Sequence, residues 1–312
     1  MSKIKTFFKL LKNNRRGIKI ALFDNLVHIG FYNRLSDERF LKKSFKIKMN
    51  KELNLQNPTT YNEKLQWLKI YDRKPEYSIL VDKYLVRDFV AKTIGEEYLI
   101  PLLGKWDNAK KIDFNSLPNR FVLKCNHDSG SVCICEDKNS FNFKKVTSFL
   151  NKSLKKNLFF WSREWPYKNV QPCIIAEEYM EDKQMNELRD YKFFCFNGVV
   201  KAMFIAQDRQ KKNEETKFDF FDENFNHLSV VNGHPNAKII PEKPKNFELM
   251  KMLASKLSNG IPHVRVDFYE CDNRVYFGEM TFFHWSGMVP FVPESWDELF
   301  GEWIDLPKKT VN

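Results

Sequence analysis

Residues 264–283 read VRVDFYECDNRVYFGEMTFF, and this stretch constrains the fold more than any other. Val264, Val266 and Phe268 alternate with Arg265, Asp267 and Tyr269. A period of two puts each set on its own face of a strand. Asp272 and Asn273 supply a turn. The return strand is expected to carry Val275, Phe277, Glu279 and Thr281 on one face. Folded symmetrically about Asn273, the hairpin sets Asp267 opposite Glu279. Carboxylates facing each other across a ladder repel, so the pair needs a counter-charge. Mg²⁺ would supply one, since it takes hard oxygen ligands, commonly one or two carboxylates plus phosphate oxygens. Arg265, on the same face, would then meet phosphate or a developing negative charge. Alternatively, Arg265 pairs directly with Asp267 or Glu279 on a surface hairpin. The apolar opposite face argues for a strand covered on both sides.

The rest of the chain supports a mixed, layered fold. TYNEKLQWLKIYD (60–72) spaces Thr60 and Glu63 as a capping box ahead of Leu65, Trp67 and Leu68. A second helix is predicted from Asp82 to Ile94, ended by Gly95. From residue 119 the texture changes to strands: NRFVLK, SVCIC and CIIAEEYM, with helical stretches over 142–158 and 246–259. DYKFFCFNGVVKAMFIAQ (190–207) is a hairpin turning at Asn197-Gly198, and FDFFDENFNHL (218–228) reads as another. Hairpins alternating with helices indicate an α+β class. A length of 312 residues fits two or three subdomains.

Composition narrows the partners. The net charge of +11 points to an anionic partner. The six cysteines (Cys125, Cys133, Cys135, Cys173, Cys195 and Cys271) form no CxxC pair. They are expected as reduced core residues of a cytoplasmic protein, without zinc. The first residues show no secretory signal, and no apolar run is long enough to span a membrane. Phe7, Phe8, Leu10 and Leu11 lie among lysines and arginines. A short basic amphipathic helix touching the inner face of an anionic membrane is therefore one expectation, and a solvated basic helix is the other.

Three further segments carry chemistry. FVLKCNHDSGSV ends an apolar strand in Lys124 and turns through Ser129, Gly130 and Ser131, a shape whose N–H groups can cradle phosphate. It contains neither GxxxxGK[ST] nor GxGxxG. IIAEEYM ends in Glu177, Glu178, Tyr179 and Met180, where a strand edge could receive a purine. RDYKFFCFNG puts Asp190 and Lys192 on one face, as an ion pair or a phosphate contact. His127 and His284 read as hydrogen-bonding histidines before proton carriers, and no Ser/His/Asp triad is apparent.

The order of these elements resembles the ATP-grasp superfamily. NPTTYNEKLQWLK, LVDKYLVRDFV, EEYLIPLLG, FVLKCNHDSG, REWPYKNV, DYKFFCFNG and VRVDFYE are similar to blocks of the TupA-like ATP-grasp family, from about residue 35 onward. The resemblance implies an ATP-grasp fold in which two α+β subdomains clasp ATP behind a mostly helical N-terminal region. Its divisions would be a basic segment (1–34), a helical subdomain (35–118), a small subdomain with phosphate loop and hinge (119–185) and a large subdomain with the Mg²⁺ site (186–312). It implies that Lys83 and Lys124 contact nucleotide, that Ser129, Gly130 and Ser131 cover phosphate, and that Glu177, Glu178, Tyr179 and Met180 surround adenine. Lys192 and Arg265 would face the transferred phosphoryl group, with Asp267 and Glu279 as magnesium ligands. Thr281 stands where the superfamily has Asn, which weakens a second metal position. The implied activity is ATP-dependent amide formation through an acyl phosphate in bacterial surface-polysaccharide synthesis. An amino acid or other amine would join a uronic acid that is nucleotide- or lipid-linked, and no nucleic acid is expected. A glycosyltransferase is the first rival, although no D-x-D is present. A non-catalytic module binding acidic glycan or membrane is the second, and it leaves the paired carboxylates unexplained.

Overall fold

The computed structural model describes residues 15–182, 188–208 and 214–309. The basic segment at 7–11, for which a membrane surface and a solvated helix are the two expectations, lies outside them. Among the described residues no helix is long and apolar enough to cross a membrane.

Five helices come first: α1 (Arg15–His28), α2 (Asp37–Met49), α3 (Tyr61–Tyr71), α4 (Pro75–Val81) and α5 (Val86–Thr93). The capping box at α3 forms as expected, with the Thr60 side chain accepting from Glu63 N and the Glu63 side chain returning to the cap backbone. The helix expected from Asp82 begins only at Val86. Asp82 Oδ1 accepts from the N–H groups of Tyr84 (2.8 Å) and Leu85 (3.1 Å), an Asx-type turn that competes with helix. Lys83 therefore sits in a bend, where its N–H donates to Asn126 O at 3.1 Å.

Two antiparallel sheets follow. The smaller has the order β1-β4-β2-β3, built from β1 (Leu102–Trp106), β2 (Phe121–Cys125), β3 (Val132–Cys135) and β4 (Ile174–Glu178). Between β3 and β4 run α6 (Phe143–Ser153) and the single-turn α7 (Phe159–Ser162). The larger sheet contains β5 (Asp190–Phe196), β6 (Val199–Gln207), β7 (Lys217–Asp222), β8 (His227–Leu228), β10 (Val264–Cys271) and β11 (Arg274–Thr281), in the order β11-β10-β5-β6-β7-β8. A short ribbon pairs β9 (Val231–Asn232) with β12 (Phe291–Val292), α8 (Phe247–Leu257) packs on the large sheet, and α9 (Ser295–Glu302) closes the chain.

Each sheet has its own core. Phe121, Leu123, Leu150, Ile174 and Ala176 pack around the small sheet. The large sheet shares its core with α1 to α5, so Tyr61 and Leu65 belong with Phe194 and Phe204. β1, within the stretch expected to be helical, joins the small sheet. With α8 on one face and the α3–α9 layer on the other, every residue of β5 is buried. That is why Asp190 and Lys192 are interior groups.

The β10–β11 hairpin sets the site. Asp272 (φ 50°) and Asn273 (φ 62°) form a two-residue turn, and Cys271 pairs with Arg274. Counting outward from that turn would put Asp267 opposite Gly278. A bulge prevents this: the register shifts after the Phe268–Phe277 pair, Gly278 is the extra residue, and Asp267 faces Glu279. The expected pairing holds, but the expected single face on the return strand does not. Val275 and Phe277 are buried in the core, whereas Glu279 and Thr281, beyond the bulge, lie on the Arg265 face.

A Cβ on Gly278 would stand 3.0 Å from Asp267 O and 3.3 Å from the Tyr269 ring. We expect Gly278→Ala to lower unfolding free energy by about 1–3 kcal/mol, the usual cost of crowding a packed site. Urea unfolding checks this, and a change below about 0.5 kcal/mol would show that the bulge does not need glycine.

Candidate active site

On the bulged face of the large sheet, six side chains form a row of alternating charge. Lys192 Nζ lies 3.1 Å from Asp190 Oδ1 and also contacts Asp267 Oδ2. Arg265 grips Asp267 with two bonds, Nε to Oδ1 at 2.7 Å and Nη2 to Oδ2 at 2.8 Å. The same Nη2 reaches Glu279 Oε1 at 3.3 Å and Thr281 Oγ1 at 3.0 Å. Thr281 Oγ1 in turn donates to Glu279 Oε1 at 3.2 Å. Lys83 Nζ closes the row, 3.9 Å from Glu279 Oε2.

The repulsion between Asp267 and Glu279 is thus answered by Arg265, the pairing that the sequence left open beside metal. Asp267 is 1% exposed, while the Glu279 side chain is 38% exposed at the end of the row. Burial would lower the Arg265 guanidinium, but the Asp267 charge, its hydrogen bonds and Glu279 outweigh it and raise it. Removing one member of such a buried pair typically costs about 3–5 kcal/mol, because the other charge is stranded.

His284 orients the arginine. Arg265 Nη1 donates to His284 Nδ1 at 2.7 Å, and His284 Nε2 donates to Asn232 Oδ1 at 2.9 Å. Burial, then Arg265 and Lys192, hold this histidine well below its ordinary value, so it is neutral. It is a positioning residue, with the hydrogen-bonding role expected of it.

The small sheet faces this row with a second set of groups. Lys124 Nζ meets Glu177 Oε2 at 2.5 Å, and Arg87 Nη1 lies 3.6 Å from Glu177 Oε1. Glu178 is exposed, with its N–H on Pro101 O at 3.1 Å. Arg120 lies over the Tyr179 ring at 4.0 Å, and Met180 is half-buried. In the loop after β2, Ser129 and Gly130 (φ 98°) are exposed. Ser131 is buried, donating to Asp128 Oδ1 and accepting from Cys125 N at 3.1 Å. Lys83 joins the two sets, since its Nζ donates to Asp128 O at 2.7 Å beside Glu279. Asn126 locks the junction: its Nδ2 donates to Asp82 Oδ2 at 2.7 Å, and its Oδ1 accepts from Cys173 N at 2.7 Å.

Several of these groups gave no individual signal in the sequence. Arg87, Asn126, Asp128 and Tyr167 lie within quoted motifs but act through contacts distant in the chain. Tyr167, raised far above its ordinary value by desolvation and then by Glu164 and Glu279, stands beside the charged row. Its one clue was the aromatic REWPYKNV block.

Among the described residues no cluster of three or more His, Cys, Asp and Glu side chains is arranged to hold a metal alone. Mg²⁺ does not require one when phosphate supplies oxygens. Glu279, partly exposed, fits such a role as it stands. Asp267 fits once Arg265 and Lys192 have other anions to hold. All six cysteines are free thiols, five of them buried.

Comparison with known proteins was made against this geometry. The TupA-like ATPgrasp family model matches residues 63–305. A search of the curated proteins finds no match. Among solved structures, the D-alanine–D-alanine ligase of Bacillus anthracis complexed with ATP is similar at 16% identity, covering 65% of this chain and 55% of that one, with a TM-score of 0.38. The D-alanine–D-alanine ligase of Helicobacter pylori is similar at 14% identity over 81% of this chain and 68% of that one, with a TM-score of 0.43. N5-carboxyaminoimidazole synthase of Aspergillus clavatus, with ADP and 5-aminoimidazole ribonucleotide, gives 11% identity, 67% and 46% coverage, and 0.37. The match thus spans about half the length of the first of these structures.

The buried histidines give the fold a defined acid response. His263 donates to Cys195 O at 3.0 Å and accepts from Tyr61 at 2.9 Å, and burial pushes it from 6.5 down to about 3. The unfolded chain therefore binds the extra proton below pH 6.5, and stability falls as pH drops. From pH 6.5 to 5 one such histidine costs about 2 kcal/mol. Asp72, Asp82 and Asp297, raised by burial, act with the opposite sign. Denaturant titrations should show that His263→Gln flattens the pH dependence by about that amount. An unchanged slope would contradict a neutral His263.

Proposed function

The chain belongs to the TupA-like ATP-grasp family, and from that premise we propose that it is an ATP-dependent carboxylate–amine ligase. The observation carrying this reading is the row Asp190–Lys192–Asp267–Arg265–Glu279–Lys83, gathered on one face by the Gly278 bulge. Three carboxylates and three cations at the junction of two sheets suit a nucleoside triphosphate with its metal ion better than a neutral ligand.

In this proposal a small subdomain (119–185) and a large one (186–312) hold ATP between them. Glu177, Glu178, Tyr179 and Met180 receive adenine. Lys83, Lys124 and the Ser129–Gly130–Ser131 turn receive phosphates. Mg²⁺, when bound, would be held by Glu279 and Asp267 with Thr281 beside them, and would neutralise phosphate charge. Thr281, engaged with both Arg265 and Glu279, is a weak ligand for a second ion.

A substrate carboxylate oxygen attacks the γ-phosphorus, and ADP leaves with the bond to its β-phosphate oxygen broken. Arg265 and Lys192, already aimed by His284 and Asp190, hold the equatorial oxygens as charge shifts. The amine nitrogen then attacks the acyl carbon, phosphate leaves, and the amine proton passes to solvent or phosphate. Neither step needs a protein nucleophile, in keeping with the row's composition. The acidic substrate is proposed to be a uronic acid of a surface polysaccharide and the amine an amino acid, a pairing in line with the net charge of +11.

ADP release should require both a carboxylic acid and an amine. Oxygen-18 in the carboxylate should appear in the released phosphate. Glu279→Gln is expected to lower turnover at least a hundredfold with the protein still folded, because the lost charge acts mainly in the transition state. Full activity in that variant, or label absent from phosphate, would sink the acyl-phosphate reading.

A further inference from the structure

A cavity of about 460 Å³ lies between α1, α7 and the segment that follows β11, with Arg16, Lys48, Trp161, Trp285 and Ser286 in its lining. Its size is that of a small-molecule pocket. We propose that it is an acceptor subsite that binds the pyranose ring of an acidic saccharide, with the ring against Trp161 and Trp285 and the carboxylate on Arg16. The inference deepens the ligase reading and rests on it for the substrate class.

The wall carrying Trp285 is held in an unusual backbone. Trp285 (φ 49°), Ser286 (φ 56°) and Gly287 (φ 61°) are all left-handed, and Trp285 remains 40% exposed. A bulky residue in that region is strained and persists only where its surroundings impose it. Here α3 imposes it. Gln66 Nε2 donates to Ser286 O (3.0 Å) and Gly287 O (2.9 Å). Lys69 Nζ donates to Ser286 O (2.8 Å), Ser286 Oγ (2.7 Å) and Ser162 O (3.0 Å). Both side chains are fully buried. Burial pushes Lys69 down to about 7, against the opposing pull of Glu164. An interior cation is expensive, and the mechanism above does not use this one. Its bonds instead fix the two segments that present Trp161 and Trp285.

The charge on the other wall is selective. Arg16 Nη2 donates to Lys48 O at 2.7 Å, which orients the guanidinium. Lys48 pairs with Asp24 at 2.8 Å, but among the described residues no carboxylate lies within ion-pair distance of Arg16. An oriented guanidinium that shares a cavity with two indoles suits a ligand with an apolar face and a carboxylate edge. The wall also connects to the charged row, because the loop begins at His284, which receives Arg265.

The test uses the full chain with D-glucuronate, D-galacturonate and D-glucose, followed by saturation-transfer NMR and tryptophan fluorescence. Saturable binding of a uronate, at least tenfold tighter than glucose, is expected. Trp285→Ala and Arg16→Gln should each weaken it about tenfold, leaving the Mg²⁺-dependent thermal shift with an ATP analogue unchanged. Absence of uronate binding, glucose binding equally well, or binding unaltered in both variants would overturn the subsite while the nucleotide shift stood. Uronate binding that is lost in the variants would uphold the subsite even if the wild type showed no nucleotide shift.

Discussion

The Arg265 guanidinium bonds both carboxylates of the bulged hairpin, and the organisation of the site depends on that one fork. It is a buried cation, so each of its N–H groups needs an acceptor. Asp267 accepts from Nε and Nη2, Glu279 and Thr281 also accept from Nη2, and His284 accepts from Nη1. Those acceptors come from three places: the same strand, the strand across the bulge, and the loop beyond it. A ladder without the extra residue would turn Glu279 away. A charged histidine would repel the arginine rather than accept from it. Strand register, loop conformation and protonation state thus serve one geometry.

The alternating row also explains how two separately packed cores form one site. The small sheet and the large sheet have distinct hydrophobic clusters. What joins them at the cleft is polar: Lys83 between Asp128 O and Glu279, and Asn126 among Asp82, Gln171 and Cys173. Polar junctions of this kind are specific in direction but yield to a competing anion. In the proposed complex a polyphosphate takes Lys83, Lys192 and Arg265 as partners, releasing Asp267 and Glu279 for a cation. The cation would offset part of the incoming phosphate charge, which an apolar junction could not do.

Much of this was legible in the sequence where the signal is local. Alternation revealed the face shared by Arg265 and Asp267, Asn197-Gly198 marked its turn, and Thr60 with Glu63 marked a helix start. The ordered blocks led to the family. What escaped depends on contacts between distant segments. Arg87 meets Glu177 across ninety positions of chain, and nothing near either residue announces it. The Asp82 turn was hidden because a side-chain acceptor, not periodicity, decides it. The Gly278 bulge left one trace, a glycine inside a strand. Symmetric counting reached the correct Asp267–Glu279 pair by placing the turn one residue off, which is why the faces of Val275 and Phe277 came out wrong.

The central claim is that this row of charges is a magnesium–nucleotide site. The most direct measurement is the thermal midpoint of the chain with a non-hydrolysable ATP analogue, with and without Mg²⁺, in the wild type and in Asp267→Asn. The account predicts a Mg²⁺-dependent rise in the wild type, worth about 2.7 kcal/mol at a hundredfold excess over Kd, and its loss in the variant. A rise that is indifferent to Mg²⁺, or one kept by Asp267→Asn, would contradict it.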